Sequence, residues 1–391
     1  MCFAHYGYIR KAVSKQINPG IKLGILGGGQ LARMLALSAH QMGLHPHVLS
    51  ENSLDPAQQV TRFNHVGSLT DVAVVENFLK QVDVATFESE FLDGTLLSQA
   101  YQATKTPIYP NISTMELLQD RLTQKQNLDL LKIPTAQWLP ANSAAEAQSA
   151  LTSLGLPLVF KKRRFGYDGY GTFVVKTKKQ VDEFCAKQFS PKNLHSTGFI
   201  VEKWIPFKRE LACVFARNIS GHISHYPLVE SLQKNSRCFW VKGPVKHKNF
   251  SAFAKKFSLF LKKMNYVGVM AVEFFDSKDG LLVNELAPRV HNSAHCTMDA
   301  FTVSQFALHI KALLDQSVAI PKANSKGFAM VNLLGRSAKK IQWTLDSDVQ
   351  LHWYGKSENR EGRKMGHINT LASSPEAALQ LALKNLKRIH L

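Results

Sequence analysis

Two apolar runs on either side of a short polar turn constrain the fold of this 391-residue chain more than any other feature. Val267–Phe275 carries Glu273 in an otherwise apolar strand pattern, and Leu281–Leu286 carries Glu285. Between them, Asp276–Ser277–Lys278–Asp279–Gly280 is a turn signal. A hairpin centred near Asp279 puts Glu273 and Glu285 opposite each other on one face. Like charges directly opposite destabilise a sheet. A divalent cation between them reverses that, and hard oxygen ligands suit Mg²⁺. The pattern therefore predicts a metal clamp for a nucleotide.

A chain of this length can bury two or three cores, and its hydrophobic fraction of 45% is ordinary for a soluble globular protein. No apolar run reaches the ~18 residues of a membrane span. Residues 1–20 contain Arg10, Lys11 and Lys15 without a sustained apolar core, which argues against a secretory signal. They read as a short polar extension, or as a start assigned too far upstream. The five cysteines are scattered and form no CxxC pair, as expected of reduced thiols in the cytoplasm. A net charge of +19 invites a nucleic-acid reading. The bases are dispersed, however, and no helix-turn-helix, zinc-finger or RNP pattern accompanies them. Anionic substrates and a generally basic surface are the expectation, with neither membrane nor nucleic acid as partner.

The chain opens with a βαβ pattern: an apolar run Ile21–Leu26, three glycines, a helical stretch from Gln30, and a second strand His45–Ser50. Val74–Gln81 reads as a helix and Val84–Glu88 as a strand. Thr114–Leu131 reads as one long helix capped by Thr114 and broken at Ile133–Pro134. From Pro157 short strands follow: Leu158–Lys161, Thr172–Val175, Gly198–Val201 and Glu210–Ala216. Thr302–Leu314 is helical, and a mainly β tail ends in a helix over Ala377–Leu386.

Several constellations carry chemistry. Gly27–Gly28–Gly29–Gln30–Leu31–Ala32 fits GxGxxG/A, with Glu51 about 20 residues on, so dinucleotide binding is one reading. The same glycines and helix start also suit another anionic ligand, or a turn alone. Lys161–Thr172 has strands on both sides, so it is not a Walker A loop. A Gly-rich hairpin over a phosphate chain, with Lys161 neutralising charge, is the alternative to a solvated basic hairpin. Glu202–Lys203–Trp204–Ile205 is an extended segment able to wall an adenine, and Glu210 could take a ribose hydroxyl. His291 and His295 have the i, i+4 spacing of a zinc pair. No third ligand is evident, so a packing role for His295 and an oxyanion role for His291 compete with it. The bases around Gly355 and Gly362 suit a substrate phosphate or a solvated turn.

In chain order, five segments resemble the ATP-grasp ligases, and within them the N5-carboxyaminoimidazole ribonucleotide synthetases. They are Gly28–Met34, Asp120–Lys125, Gly166–Tyr167–Asp168–Gly169–Tyr170–Gly171, Asn284–Ser293 and Gly362–His367. The similarity runs from about residue 21 to the C-terminus. It implies an α/β and α+β chain with the ATP-grasp fold. A Rossmann-like unit would span 21–115 and the ATP-grasp domain 116–315, with a flap at about 135–205. A small mainly β domain would span 316–391.

The resemblance also implies an activity: ATP- and bicarbonate-dependent N-carboxylation of 5-aminoimidazole ribonucleotide in purine biosynthesis, by a cytoplasmic homodimer. Glu273 and Glu285 would hold Mg²⁺, or Mn²⁺ in its place. Arg121, Lys161, Gly166–Thr172, Glu202, Lys203, Trp204, Ile205, Glu210 and Asn284 would bind ATP. Arg289, His291 and Asn292 would steady bicarbonate or carboxyphosphate. Gln30, Glu88, Lys356, Arg363 and Lys364 would hold the ribonucleotide, and Asp168 is a candidate proton acceptor. Departures from the family pattern fall at Phe165, Phe91, Gln233, Ala294 and Cys296. They keep two rivals open: an ATP-grasp ligase with another acceptor, and a non-catalytic nucleotide- or nucleic-acid-binding relative.

Overall fold

The computed structural model describes residues 18–166, 169–190, 198–234, 236–337 and 340–391. The N-terminal unit comprises β1 (Lys22–Leu26), α1 (Gln30–Gln41), β2 (His45–Ser50), β3 (Phe63–Val66), α2 (Val72–Leu79), β4 (Val84–Phe87) and α3 (Gly94–Thr104). Its four strands are parallel, in the order β3-β2-β1-β4. The central strands are apolar on both faces, as a parallel sheet covered by helices requires. Leu23, Ile25 and Val48 pack toward α1, whereas Leu26 and Leu49 pack toward α2 and α3. Asp71 and Asp93 cap α2 and α3 by accepting from backbone N–H groups, each worth roughly 1 kcal/mol.

The single helix expected over Thr114–Leu131 is in fact two, α4 (Ile112–Gln119) and α5 (Arg121–Leu130). Asp120 between them is extended, and its carboxylate accepts from Leu122 N–H as the cap of α5. Thr114 lies inside α4, where its hydroxyl donates to Met264 O at 2.9 Å. Apolar periodicity runs straight through a one-residue break, so only the capping chemistry of Asp120 could have marked it. The break has a purpose: Asp120 also accepts from Arg163 Nε and Nη2, at 3.0 and 2.6 Å, and so ties α5 to the flap.

The flap contains β5 (Trp138–Ala141), α6 (Ala144–Leu154), β6 (Leu158–Lys162), β7 (Thr172–Val175), α7 (Lys178–Gln188) and β8 (Phe199–Lys203), with antiparallel order β5-β8-β6-β7. Rings of Phe160, Phe184 and Phe199 meet in its own small core.

The rest is organised by one large sheet. Its strands are β9 (Phe207–Arg217), β10 (Ile223–His225), β11 (Leu228–Lys234), β12 (Arg237–Val245), β13 (Gly268–Ser277), β14 (Gly280–Ala287), β15 (Gly327–Leu334), β17 (Val349–Trp353) and β18 (Lys364–Ala372). The order is β14-β13-β9-β11-β12-β15-β18-β17, with β10 on β9. The pairing of β12 with β15 joins middle and tail in this sheet. Helix α8 (Phe250–Lys263) lays Phe253, Phe257 and Phe260 on the face holding Phe215 and Phe274. Helices α9 (Thr297–Ala300) and α10 (Gln305–Leu313) contribute to the core on the α1 side, and α11 (Pro375–Leu386) packs on β15 and β18. A ribbon of β16 (Gln342–Trp343) and β19 (Ile389–His390) completes the tail.

Candidate active site

A cavity of about 630 Å³ opens where the N-terminal unit, the flap and the large sheet meet. The β13–β14 hairpin sets Glu273 directly opposite Glu285, as its sequence predicts. Glu210 lines the same wall from β9. Burial, then repulsion from Glu285 and Glu210, pushes the Glu273 carboxyl up to about 8. Burial likewise raises Glu210 to about 7. The facing pair Glu273 and Glu285 offers hard-oxygen donors, and a divalent cation between them would relieve the repulsion that raises Glu273. No group of three His, Cys, Asp or Glu among the described residues could hold a metal ion. Two carboxylates completed by phosphate oxygens and water is the usual Mg²⁺ arrangement. Arg121 Nη2 stands 3.3 Å from Glu285 Oε2, and His291 Nε2 stands 3.7 Å from Glu273 Oε1.

Lys161, at the inner end of β6, is held from two sides. Its Nζ lies 2.7 Å from Glu202 Oε2 and donates to Asn284 Oδ1 at 2.8 Å. Lys125 Nζ lies 2.5 Å from the other Glu202 oxygen. Burial alone would raise the Glu202 carboxyl, but Lys125 and Lys161 outweigh it and hold it at about 2. Lys125 had no role in the sequence reading. The signal was there: it sits on the buried face of α5 with Gln124 and Leu128, and a lysine at a core position needs a charge partner. Lys203, Trp204 and Ile205 line the cavity beside Val159, Val174 and a stacked pair, Phe207 and Phe275, with ring centroids 4.7 Å apart. Gly166, Gly169 and Thr172 line it from the Gly-rich hairpin. A Cβ on Gly166 would stand 2.6 Å from Arg121 Nη1, so only glycine lets that guanidinium lie against the loop. Tyr170 and Gly171 fall outside the lining, and Tyr167 and Asp168 lie outside the described residues.

The glycine turn after β1 receives a carboxylate of the protein itself. Glu88 accepts from Gly29 N–H at 2.5 Å and from Ala32 N–H at 3.1 Å. A Cβ on Gly29 would stand 2.8 Å from both Glu88 oxygens. Glu88 fills the anion position at the α1 N-terminus that a dinucleotide pyrophosphate would need. Glu51 is exposed. Gln30 and Glu88 both line the cavity.

Arg289 is forked onto Glu90: its Nη2 donates to Oε1 at 3.1 Å, its Nε to Oε2, and its Nη1 to Val290 O. Burial, with Arg289 and Lys364 nearby, lowers His291 well below its usual range, so its imidazole is neutral at pH 7. Its Nδ1 accepts from Ser293 N–H at 3.3 Å, which assigns the ring proton to Nε2, on the side of Glu273. Asn292 exchanges two hydrogen bonds, of 2.9 and 2.7 Å, with Asn332 of β15, a partner the sequence did not reveal. Lys364 reaches the cavity, whereas Lys356 and Arg363 stand outside its lining. Lys356 Nζ lies 5.8 Å from the Tyr354 ring centre, and Arg363 Nη1 donates to Glu358 O.

The departures divide in two. Phe91 lines the cavity and meets Phe165 of the flap, with ring centroids 5.9 Å apart, and Gln233 lines the cavity as well. Ala294 and Cys296, which follow the Arg289–Asn292 run in sequence, are both buried in the core beneath the loop and do not line the cavity. His295 is fully buried, with Nδ1 against Gln305 Nε2 at 2.9 Å, which is a packing role.

Comparison with known proteins agrees with this geometry along nearly the whole chain. Residues 21–119 match the ribonucleotide synthetase preATP-grasp domain, 126–306 the ATP-grasp domain, and 329–381 the phosphoribosylaminoimidazole carboxylase C-terminal domain. The N5-carboxyaminoimidazole ribonucleotide synthase of Synechococcus elongatus is 36% identical over 93% of each chain. The phosphoribosylaminoimidazole carboxylase of Saccharomyces cerevisiae is also 36% identical, with 90% of this chain covering 64% of that longer protein. The N5-carboxyaminoimidazole synthase of Aspergillus clavatus, solved with ADP and 5-aminoimidazole ribonucleotide, superposes with a TM-score of 0.80 at 28% identity, covering 95% of this chain and 100% of that one. The chain thus belongs to the N5-carboxyaminoimidazole ribonucleotide synthases, a family of ATP-grasp ligases.

Proposed function

We propose that this chain uses ATP and bicarbonate to carboxylate the amino group of 5-aminoimidazole ribonucleotide, giving N5-carboxyaminoimidazole ribonucleotide, ADP and phosphate for purine biosynthesis. One observation supports this best. A single cavity brings a facing carboxylate pair and an anchored lysine next to a neutral imidazole and an arginine. The first set suits a nucleotide with its cation; the second suits a small oxyanion.

Bicarbonate is a poor electrophile, so transfer of the γ-phosphoryl group to it comes first. Carboxyphosphate then breaks down to carbon dioxide and phosphate beside the ribonucleotide amine, and the flap excludes water from it. Lys161, Arg121 and the Gly166–Thr172 loop hold the phosphates. Lys203, Trp204 and Ile205 wall the adenine, and Glu210 takes a ribose hydroxyl. Glu202 acts through Lys161. Glu273 and Glu285, with Asn284 beside them, would hold Mg²⁺ or Mn²⁺, which supplies neutralisation of the phosphate charge. His291 offers its Nε2–H and Arg289 its remaining N–H groups to the bicarbonate oxygens, while Asn292 fixes their loop through Asn332. Gln30, Glu88, Lys364, Lys356 and Arg363 hold the ribonucleotide. The same reading makes the protein a cytoplasmic homodimer.

ADP release from the purified protein with bicarbonate, with and without the ribonucleotide, tests the proposal. Stimulation by the ribonucleotide is expected. Equal release without it would leave an ATP-grasp ligase with another acceptor. Binding of Mg·ATP with no release at all would leave a non-catalytic relative.

A further inference from the structure

Behind one wall of the cavity lies a second pocket of about 270 Å³ that the proposed reaction does not use. The ends of β11 and β12 separate the two. Successive strand residues face opposite sides of a sheet. Gln233 and Cys238 accordingly line the main cavity, while Lys234, Arg237 and Phe239 line the second pocket. Arg336, beyond the end of β15, completes a cationic rim over an apolar floor that includes Leu334 and Leu386, and Glu361 is the acidic residue of the lining. Lys234 Nζ lies 3.9 Å from the Phe239 ring centre. The guanidinium groups of Arg237 and Arg336 make no ion pair or hydrogen bond among the described residues. Arg237 lies against the backbone of Gly362. Gly362, with φ of +70°, approaches so closely that a Cβ there would stand 2.1 Å from Arg237 Nη1.

Two connections lead from this pocket to the main cavity. Gly362 lies in the turn Arg360–Arg363, and Lys364, the first residue of β18, lines the main cavity. Asn332 lines the second pocket and shares its amide with Asn292, which lines the first.

We propose that the second pocket binds a small phosphomonoester with an apolar or planar body, and that its occupancy changes ribonucleotide binding in the main cavity. Two guanidinium forks and an ammonium group outnumber the carboxylates of Glu361 and of the terminal residue Leu391, which also lines the pocket, and match a dianionic phosphate. The volume is just under the roughly 300–1,000 Å³ of ordinary ligand pockets, which suits a small ligand. A ligand that draws the Arg237 fork toward itself loosens its contact with Gly362, and the turn that carries Arg363 and leads into Lys364 shifts. The coupling half of the proposal rests on the function proposed above; the binding half does not.

Calorimetry tests the binding half. AMP, ribose 5-phosphate and inorganic phosphate are titrated separately into the full chain saturated with Mg·ADP. One saturable site is expected for AMP or ribose 5-phosphate, with inorganic phosphate weaker, and a loss of tenfold or more in affinity in both Arg237→Ala and Arg237→Lys. Lys keeps the charge but not the fork, and unchanged thermal midpoints exclude misfolding. Full affinity in Arg237→Ala, or heat lost in Lys356→Ala but kept in Arg237→Ala, would overturn the site by placing the ligand in the main cavity or nowhere. For the coupling half, the phosphomonoester should shift the ribonucleotide KM several-fold in the natural protein and not in Arg237→Ala. An unchanged KM with binding intact would overturn the coupling alone.

Discussion

The two walls of the main cavity are held by different forces. The nucleotide wall stands on a buried charge chain, Lys125 and Lys161 on Glu202 and Lys161 on Asn284, beside the repelling pair Glu273 and Glu285. The acceptor wall stands largely on contacts between units: Phe91 on Phe165, Glu90 on Arg289, Asn292 on Asn332. Of the departures from the family pattern, Phe91 and Gln233 line the cavity and Phe165 touches Phe91, and none of the three belongs to the charge chain. Removing one member of a buried ion pair costs about 3–5 kcal/mol, because its partner is left charged and dry. Exchanging an exposed aromatic contact costs about 0.5–1.5 kcal/mol. Changes at Phe91, Phe165 or Gln233 therefore cost less than a break in the Lys125–Glu202–Lys161 chain or in the buried Arg289–Glu90 pair.

The largest effect is expected from the clamp. Glu285→Gln should reduce ADP production by at least ~10³-fold, about 4 kcal/mol of transition-state stabilisation, with unfolding unchanged. Near-normal turnover would mean that the facing carboxylates do not hold the metal. Next, Lys125→Met leaves Glu202 with Lys161 alone. A loss of roughly 3 kcal/mol in unfolding free energy is expected, with the nucleotide KM raised more than the ribonucleotide KM. Adding Glu202→Gln should restore part of the nucleotide affinity. No recovery in the double variant would make Lys125 merely structural and erase the contrast between the walls.

A smaller effect concerns pH. Without metal, folded Glu273 keeps its proton up to about 8, against an ordinary 4.5. Between those values the unfolded chain binds fewer protons, so stability falls as pH rises. Buried histidines such as His291 and His309, lowered by burial, act in the opposite sense below about 6.5, so the comparison is with Glu273→Gln. In chelator the thermal midpoint of the natural protein should decline relative to that variant across the window, and saturating Mg·ADP should flatten the difference. A constant difference in chelator would show that Glu273 carries no such burden. The smallest effect belongs to the aromatic contact. Phe165 has φ of +60°, a left-handed conformation costing about 1–2 kcal/mol for a non-glycine residue. Phe165→Gly relieves that strain and loses the Phe91 contact, so denaturant unfolding should move by less than about 1 kcal/mol. A larger loss would show that the two phenylalanines hold the flap to the N-terminal unit more firmly than their exposure implies.

Much of this molecule was legible before folding, where local chemistry decides. The turn near Asp279 set the pairing of Phe274–Ser277 with Gly280–Val283, but it is a one-residue register shift after Glu273 that brings Glu273 opposite Glu285. The βαβ opening followed from apolar runs around glycines. The break at Asp120 was missed because periodicity has no term for a single capped residue. Other assignments needed distance to resolve. Glycines near a helix start advertise an anion, and only the return of β4 showed that the anion is Glu88. Ala294 and Cys296 stood among site residues in sequence, and only the packing of the loop turned them into the core.

The sequence by itself determined which groups this protein brings to its chemistry: the carboxylate pair, Lys161, and the Arg289–Asn292 run. Their spacing is local, and local geometry is written in neighbouring residues. The tertiary structure decided which of those groups stay available. Lys125 reaches Glu202 across 77 residues, and Phe91 meets Phe165 from another unit. Burial, which sets charge, protonation and pairing, is a property of the assembled chain, and no window of sequence contains it.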